Sequence, residues 1–166
     1  MTIKTNEIPV GVVGLGLMGC SITTCLLMAG HPVVAIAPIS VDMDHAETRI
    51  RAHFKKAKEE GMVNEDPDFY FKNLVITEDY SLLKPCQLVI ECTLEDQEIK
   101  KVVYSKVESV IGVDAILASN TSSISITKIA AAAHEVGALM VLDCIASGCI
   151  WVDMEATGVD VLISAP

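Results

Sequence analysis

The sequence predicts a three-layer α/β/α fold, in which helices cover both faces of a largely parallel sheet of about seven strands. The first observation is composition, since 51% of the 166 residues are apolar and only 4% are aromatic. This favours a core of Val, Ile, Leu, Ala and Met. The second observation is order, because apolar runs of strand length alternate with helical patterns along the whole chain. Parallel strands need crossover helices, so this alternation predicts a parallel sheet in one domain spanning residues 1–166.

Each element is predicted from its own pattern. Residues 9–16 form a continuous apolar strand that ends in glycine, and the helical pattern of 20–30 stops at Gly30, a natural C-terminal cap. Further strands are predicted at 31–40, 73–77, 87–93, 114–120, 137–147 and 159–165. Further helices are predicted at 41–61, 95–111 and 125–136. Apolar spacing predicts the buried face of each of the first two helices. For 41–61 this face consists of Ala46, Ile50, Phe54 and Ala57, and for 95–111 it consists of Ile99, Val102, Val103, Val107 and Val110.

Charge and hydropathy exclude several classes of partner. The formal net charge of −10 argues against nucleic acid and anionic membranes, which both need a cationic face. No apolar run reaches the length of a membrane span and no signal peptide precedes the first strand, so we expect a cytoplasmic protein. The six cysteines lack both the spacing and the neighbouring histidines of a zinc site, so we expect free thiols and no bound metal. The last strand, 159–165, is a candidate edge through which copies could self-associate.

Three glycines after the first strand carry the clearest functional signal. Gly14, Gly16 and Gly19 form G-x-G-x-x-G between a strand and a helix, which is the setting of a Rossmann-like dinucleotide site. The first glycine permits the turn, the second leaves space for a pyrophosphate, and the third lets the helix pack on the strand. The helix N-terminus offers unpaired N–H groups to the phosphates. We predict cofactor binding by the whole loop, Gly14, Leu15, Gly16, Leu17, Met18 and Gly19; the alternative is a purely structural turn.

The second strand lacks the acid that such sites use to bind the adenosine ribose. Ala37 stands at the position where an Asp would be, and Pro38 follows it. No Arg lies at the same strand end to take a 2′-phosphate. The sequence therefore predicts NAD as a possible cofactor without excluding NADP, and the missing hydrogen-bond pair weakens binding by about 1.5–3 kcal/mol.

Four segments resemble the NAD-binding domain of L-3-hydroxyacyl-CoA dehydrogenases: "VGVVGLGLMG", "LLMAGH", "LVIECTLEDQEIKK" and "ILASNTSSISIT". The resemblance covers roughly residues 7–128. It implies cofactor contacts by Thr93, Leu94, Glu95, Lys100 and Asn120, with Glu95 and Lys100 beside the nicotinamide ribose, and places Ser122 against the substrate 3-hydroxyl. Judged without the family, Glu95 favours a helix N-terminus, Lys100 is a solvated helix residue, and "SNTSS" is a polar turn.

The resemblance stops before the family's catalytic histidine. That family continues with a strand carrying G-x-H-F-x-x-P, whose histidine is the general base, and then with a helical acyl-CoA domain. Here the only histidine after Ser122 is His134, in a helical segment, so we interpret it as an ordinary helix residue. No catalytic residue set is intact, and Ser122 and Asn120 remain as remnants of one.

The rest of the sequence resembles a second family. "AHEVGALMVLDCIASG" and "GVDVLISAP" are similar to class V, fold-type I pyridoxal-phosphate aminotransferases. That resemblance implies that Asp143 pairs with the pyridinium nitrogen and that the Schiff-base lysine follows the last strand. The sequence has no Lys or Arg after Lys128, so we do not expect pyridoxal phosphate to bind. Asp143 is otherwise a strand-end acid or a helix-cap partner.

We interpret the chain as an engineered chimera of the two families, joined between residues 124 and 133; a natural fusion or a misassembled gene is the alternative origin. The predicted function is a non-catalytic dinucleotide-binding module that holds NAD(H) or a related adenine nucleotide. Two alternatives stay open: a residual 3-hydroxyacyl-CoA dehydrogenase-type oxidoreductase, and a purely structural domain with an empty site.

Overall fold

The computed structural model describes residues 4–145, 148 and 150–164. The chain divides into two compact units between Thr121 and Ser122. No helix in the described residues is both long and apolar enough to cross a membrane.

The first unit is built around a five-stranded parallel sheet. Its strands are β1 (Val10–Val13), β2 (Val33–Ile36), β3 (Leu74–Thr77), β4 (Leu88–Glu91) and β5 (Ile116–Ser119), in the order β3-β2-β1-β4-β5. Its helices are α1 (Leu17–Met28), α2 (Ser40–Glu59), α3 (Pro67–Phe71) and α4 (Gln97–Glu108), with short 3-10 turns at Thr5–Glu7 and Tyr80–Leu83. The predicted α/β class and parallel sheet are confirmed.

Two apolar clusters, one on each face of the sheet, give the unit its three layers. One cluster joins β1 and β2 to helices α1 and α2, and includes Val12, Leu27 and Phe54. The other joins β1 and β4 to α4 through Val13, Val89, Val103 and Val107. Because the central strands are covered on both sides, they are continuous apolar runs, as parallel sheets require.

The buried face of α2 is the one that its spacing predicts, since Ala46, Ile50, Phe54 and Ala57 are all buried. The prediction for α4 is partly wrong. Val103 and Val107 are buried, but Ile99 and Val102 are exposed. Lys100 occupies the inward position instead, because its ammonium pairs with a carboxylate beneath the helix, and the buried stripe therefore runs 100, 103, 107.

The strand order places a topological switch point between β1 and β4. The chain leaves β1 toward β2 on one side, whereas β4 and β5 extend the sheet on the other side. In open parallel sheets, ligands bind outside the carboxyl ends of the strands at this point.

The second unit contains α5 (Ile126–Glu135), β6 (Val141–Asp143), α6 (Met154–Thr157) and β7 (Val161–Ile163). Strands β6 and β7 pair in parallel with each other, from Val141 opposite Val161 to Asp143 opposite Ile163. The described residues thus contain the seven expected strands, but in sheets of five and two rather than in one. The strands predicted at 137–147 and 159–165 are shorter than expected, and residues 146, 147 and 165 lie outside the described part.

Candidate functional site

Gly14 forms the turn between β1 and α1 and brings this turn against the end of β4. Its φ of +100° lies in the region that favours glycine. A Cβ at this position would lie 2.7 Å from the carbonyl carbon and oxygen of Cys92. Gly14 is therefore needed both for the turn and for the close approach of the two central strand ends.

Gly19 allows helix α1 to lie against the same turn. A Cβ on Gly19 would be 1.8 Å from the carbonyl oxygen of Gly14. Because this clash is with a backbone atom, movement of side chains cannot remove it. The packing role expected of the third glycine therefore follows from the geometry.

Gly16 differs from the other two glycines, because a Cβ here would have no neighbour within 4 Å. It is the N-cap of α1, its φ is −68°, and neither the turn nor the packing requires a glycine. The first turn of α1 carries no acidic residue and no side-chain cap. The first N–H groups of a helix lack intrahelical acceptors and attract anions. The open space beside Gly16 leaves these N–H groups accessible to an anion, which supports the dinucleotide interpretation over a purely structural turn.

Ala37 follows β2 and is fully buried, with its backbone N–H donating to the carbonyl of Thr77. It has no polar side chain to offer a ribose. Arg49, from the third turn of α2, donates from Nη1 to the carbonyl oxygen of Leu15 at 2.8 Å and to Asp42 Oδ1 at 3.3 Å. The sequence-based expectation concerned only the end of β2 and did not include this arginine. The helical spacing 42, 46, 49 places it on the buried side of α2 and could have revealed it.

Glu91, the last residue of β4, lies at the centre of a buried polar network. Lys100 Nζ contacts both of its carboxylate oxygens at 2.8 Å, and the two side chains are 0% and 2% exposed. Ser119 Oγ, Tyr104 Oη and the backbone and hydroxyl of Thr93 also donate to this carboxylate.

The protonation of this network follows from its partners. Burial by itself raises the pKa of Glu91, but the hydrogen bonds from Lys100, Ser119 and Thr93 outweigh burial and hold the pKa below its ordinary value. Burial raises the pKa of Tyr104 to about 12 and that of the neighbouring Cys92 thiol to about 11. The carboxylate is therefore ionised near neutral pH, whereas the phenol and the thiol keep their protons.

The network shows that Lys100 is a buried residue. The interpretation of Lys100 as a solvated helix residue is wrong, since its side chain is buried against Glu91. Its predicted contact with a nicotinamide ribose stays a prediction. The predicted contact residue Thr93 belongs to the same network, and its exposed neighbour Leu94 follows it at the end of β4.

The remaining predicted residues of the first unit gather at the same sheet edge. Glu95 accepts a hydrogen bond from Thr121 Oγ1 at 2.7 Å, and Asp96 caps α4 by accepting from the N–H groups of Glu98 and Ile99. Asn120 follows β5, and its backbone N–H donates to the carbonyl of Glu91. The carboxyl ends of β1, β4 and β5 therefore bring together the glycine loop, Glu95 and Asn120.

Three predicted residues lie in the second unit. Ser122 is exposed in the bend before α5. Asp143 ends β6, where its carboxylate accepts from the N–H of Ile145, so it is a strand-end acid with a local turn partner. His134 lies on α5 and its Nε2 is 2.8 Å from Asp160 Oδ2, while the N–H of Met140 donates to the same oxygen. His134 thus joins α5 to the start of β7 in this unit.

Comparisons with known proteins cover the first unit and part of the second. The model of the family "3-hydroxyacyl-CoA dehydrogenase, NAD binding domain" matches residues 9–142. A 3-hydroxybutyryl-CoA dehydrogenase of Mycobacterium tuberculosis is 38% identical over 128 residues, which are 76% of this chain and 45% of that protein. A probable 3-hydroxybutyryl-CoA dehydrogenase of Deinococcus radiodurans is 32% identical over 122 residues, 74% of this chain and 44% of the relative. The chain thus spans less than half the length of these relatives.

Solved structures agree with the sequence relatives. The crystal structure of M. tuberculosis FadB2 is similar over 94% of this chain and 62% of its own, with a TM-score of 0.70 and 29% identity. That of the (S)-3-hydroxybutyryl-CoA dehydrogenase of Ralstonia eutropha is similar over 74% of this chain and 44% of its own, with a TM-score of 0.67 and 29% identity. These proteins confirm the dehydrogenase resemblance, whereas the aminotransferase resemblance finds no support among them. The chain belongs to the 3-hydroxyacyl-CoA dehydrogenase family, through the NAD-binding domain of that family.

Proposed function

We propose that the chain binds NAD(H) at the carboxyl ends of β1 and β4 and is the cofactor-binding part of an oxidoreductase that acts on 3-hydroxyacyl-CoA thioesters. The observation that carries the proposal is the open space beside Gly16, between a turn that needs Gly14 and a helix that needs Gly19. The substrate class comes from the relatives, which are named as 3-hydroxybutyryl-CoA dehydrogenases.

The roles of the residues follow from this site. The N–H groups at the start of α1 hold the pyrophosphate, and the exposed side chains of Leu17 and Met18 flank it. Glu95 and Asn120 lie on the β4–β5 side of the glycine loop and bind the nicotinamide half. When bound, the nicotinamide accepts or donates the hydride. The Glu91 network fixes the ends of β4 and β5, and through them the positions of Thr93 and Asn120.

A second candidate is a nucleotide-binding module without turnover, which includes the two-family chimera. Oxidation of an alcohol requires a group that accepts its proton, and no H-F pair follows Ser122 in the sequence. The family model matches residues 9–142 and so runs across the junction expected at 124–133, which gives the chimera itself no support.

Calorimetric titration with NADH tests the cofactor site. We expect wild type to bind and Gly16→Val to lose binding, because the valine side chain enters the space proposed for the phosphate and its Cβ has no neighbour within 4 Å. Gly112→Val is the matched control: its Cβ also has no neighbour within 4 Å, and Gly112 lies in the loop before β5. If Gly16→Val binds NADH as wild type does, the proposal is wrong.

Acetoacetyl-CoA reduction with NADH separates the two candidates. Turnover that Ser122→Ala lowers supports the oxidoreductase. NADH binding without turnover supports the non-catalytic module. A calorimetric titration with pyridoxal phosphate tests the aminotransferase resemblance. Sedimentation tests the expected self-association.

A further inference from the structure

The carbonyl oxygen of Leu15, in the middle of the glycine loop, is held by side chains from two different helices. Leu15 is fully buried and stands between Gly14 and Gly16. Its oxygen accepts from Arg49 Nη1, on α2, at 2.8 Å and from Cys20 Sγ, on α1, at 3.2 Å. The loop is therefore tied to a helix that begins more than twenty residues later in the chain.

The guanidinium that makes this bond is itself held in place. Asp42, one helical face away on α2, accepts from the same Nη1 at 3.3 Å, and Arg49 also donates to the Cys20 sulfur. A hydrogen bond from a charged donor is stronger than one between neutral groups. Arg49, Asp42 and Cys20 thus form one connected group around the Leu15 carbonyl.

This carbonyl determines the direction of the next N–H group. In a trans peptide unit the C=O and the N–H point in opposite directions. The bond from Arg49 draws the Leu15 carbonyl toward α2 and so turns the Gly16 N–H away from α2. Among the described residues, no backbone carbonyl accepts this N–H, and the space beside Gly16 is open.

We infer that Arg49 is a positioning residue of this site: its hydrogen bond holds the Leu15–Gly16 peptide in the orientation that presents the Gly16 N–H to the phosphates of a dinucleotide. Arg49 acts through the loop and does not touch the ligand. The inference rests on the proposed function and adds the residue that prepares the loop. Without the bond the peptide can rotate, and the apparent Kd rises as the fraction of molecules in the binding orientation falls.

Titrations with NADH measure the effect on binding in wild type and three variants. Arg49→Met should raise the Kd about 10-fold, the value of one charge-assisted hydrogen bond. Arg49→Lys keeps a charged donor and should stay within about threefold of wild type. Arg51→Met is the matched control and should bind as wild type does, because Arg51 is equally exposed on the same helix but pairs with Glu47 and Asp68. Each titration is run at a temperature at which circular dichroism shows the variant to be folded.

The backbone amide of Gly16 in the ligand-free protein gives a second readout. Relaxation-dispersion NMR should show microsecond-to-millisecond exchange at this amide in Arg49→Met, and none in wild type or Arg51→Met. No ligand is present in this experiment, so it separates a positioning role from a direct contact between Arg49 and the ligand. If Arg49→Met folds poorly, the shorter and uncharged Arg49→Gln serves for both measurements.

The outcomes distinguish the inference from the proposed function. A Kd for NADH that is unchanged in Arg49→Met overturns the inference and leaves the proposed function intact. A raised Kd with an unchanged Gly16 amide also overturns it, since Arg49 would then act on the ligand directly. Failure of wild type to bind NADH overturns the proposed function itself.

Discussion

At the scale of single residues, the Glu91–Lys100 pair is the most consequential contact in the described chain. A buried carboxylate is costly unless cations and hydrogen bonds compensate it, and this one accepts hydrogen bonds from Lys100 and three other side chains. The pair sits where β4 ends and the cofactor contacts begin. It therefore links the stability of the sheet edge to the geometry of the site.

Lys100→Met tests this compensation. The substitution keeps the apolar part of the side chain but leaves the buried Glu91 without its cation, so we expect a loss of about 3–5 kcal/mol in the free energy of unfolding. Urea denaturation near neutral pH measures it. The double variant Glu91→Gln with Lys100→Met should recover much of the loss, since both charges are then gone while the amide oxygen still accepts hydrogen bonds from the neighbouring hydroxyls. A single variant as stable as wild type contradicts the argument.

The same pair has a defined pH dependence. Because the folded pKa of Glu91 lies below its unfolded value, this residue stabilises the protein above roughly pH 4.3, and the contribution is lost as pH falls through the folded pKa. The stability gap between wild type and Lys100→Met should therefore be largest near neutral pH and narrow in acid. A gap that is independent of pH would show that packing, not charge, causes the loss.

Residue roles were only partly predictable from the sequence. The glycine spacing identified the loop, because each glycine has a distinct role: Gly14 allows the turn, Gly16 leaves open space and Gly19 allows the helix to pack. The pattern gave no sign that Lys100 is buried, since a lysine on a helix is normally solvated and only its partner on β4 reveals its position. Arg49 was missed for a similar reason: it is twelve residues from Ala37 in sequence and reaches the glycine loop only through the packing of α2.

At the scale of elements, the site is built on strand β1 and helix α1. Strand β1 is hydrogen-bonded to β2 on one side and to β4 on the other, and α1 starts directly after it. The turn must be tight enough for α1 to return onto the sheet, and the contact between Gly19 and the carbonyl of Gly14 sets that distance.

Gly19→Ala tests the contact. The new Cβ would overlap the Gly14 carbonyl oxygen, so α1 must shift on β1, and we expect a loss of more than about 3 kcal/mol in the free energy of unfolding. Gly112→Ala, in open space, should be within about 0.5 kcal/mol of wild type in the same denaturation experiment. Equal stability of the two variants would mean that the turn adapts at no cost.

The type and order of the elements were predictable from the sequence, but the buried face of α4 and the pairing of the last two strands were less so. Strand and helix alternate as the periodicity indicates, since central parallel strands must be apolar on both faces. The inward face of α4 was misassigned at Ile99 and Val102, because the pattern treats every inward residue as apolar while this helix turns a lysine inward. The pairing of β6 with β7 depends on contacts between distant residues, which local patterns do not contain.

At the scale of the whole molecule, the strand order sets the position of the site within the fold. In the order β3-β2-β1-β4-β5, the strands after β1 are added on one side of it and the strands from β4 onward on the other. All the proposed cofactor contacts lie at this switch point, within the unit that ends at Thr121. The proposed NADH site therefore involves one of the two units, and ligand binding should stabilise that unit selectively.

Scanning calorimetry with NADH tests this expectation. A ligand present at about 100 times its Kd stabilises the folded state that binds it by about 2.7 kcal/mol. We expect the unfolding transition of the unit containing β1–β5 to move to higher temperature, and any separate transition of the unit containing α5 and β6 to stay in place. Gly16→Val should show no shift, because the phosphate space is filled while the fold is kept. Stabilisation by binding requires that the folded state binds the ligand, and Gly16 is the point at which the fold leaves room for it. An equal shift in Gly16→Val would therefore mean that the ligand binds elsewhere.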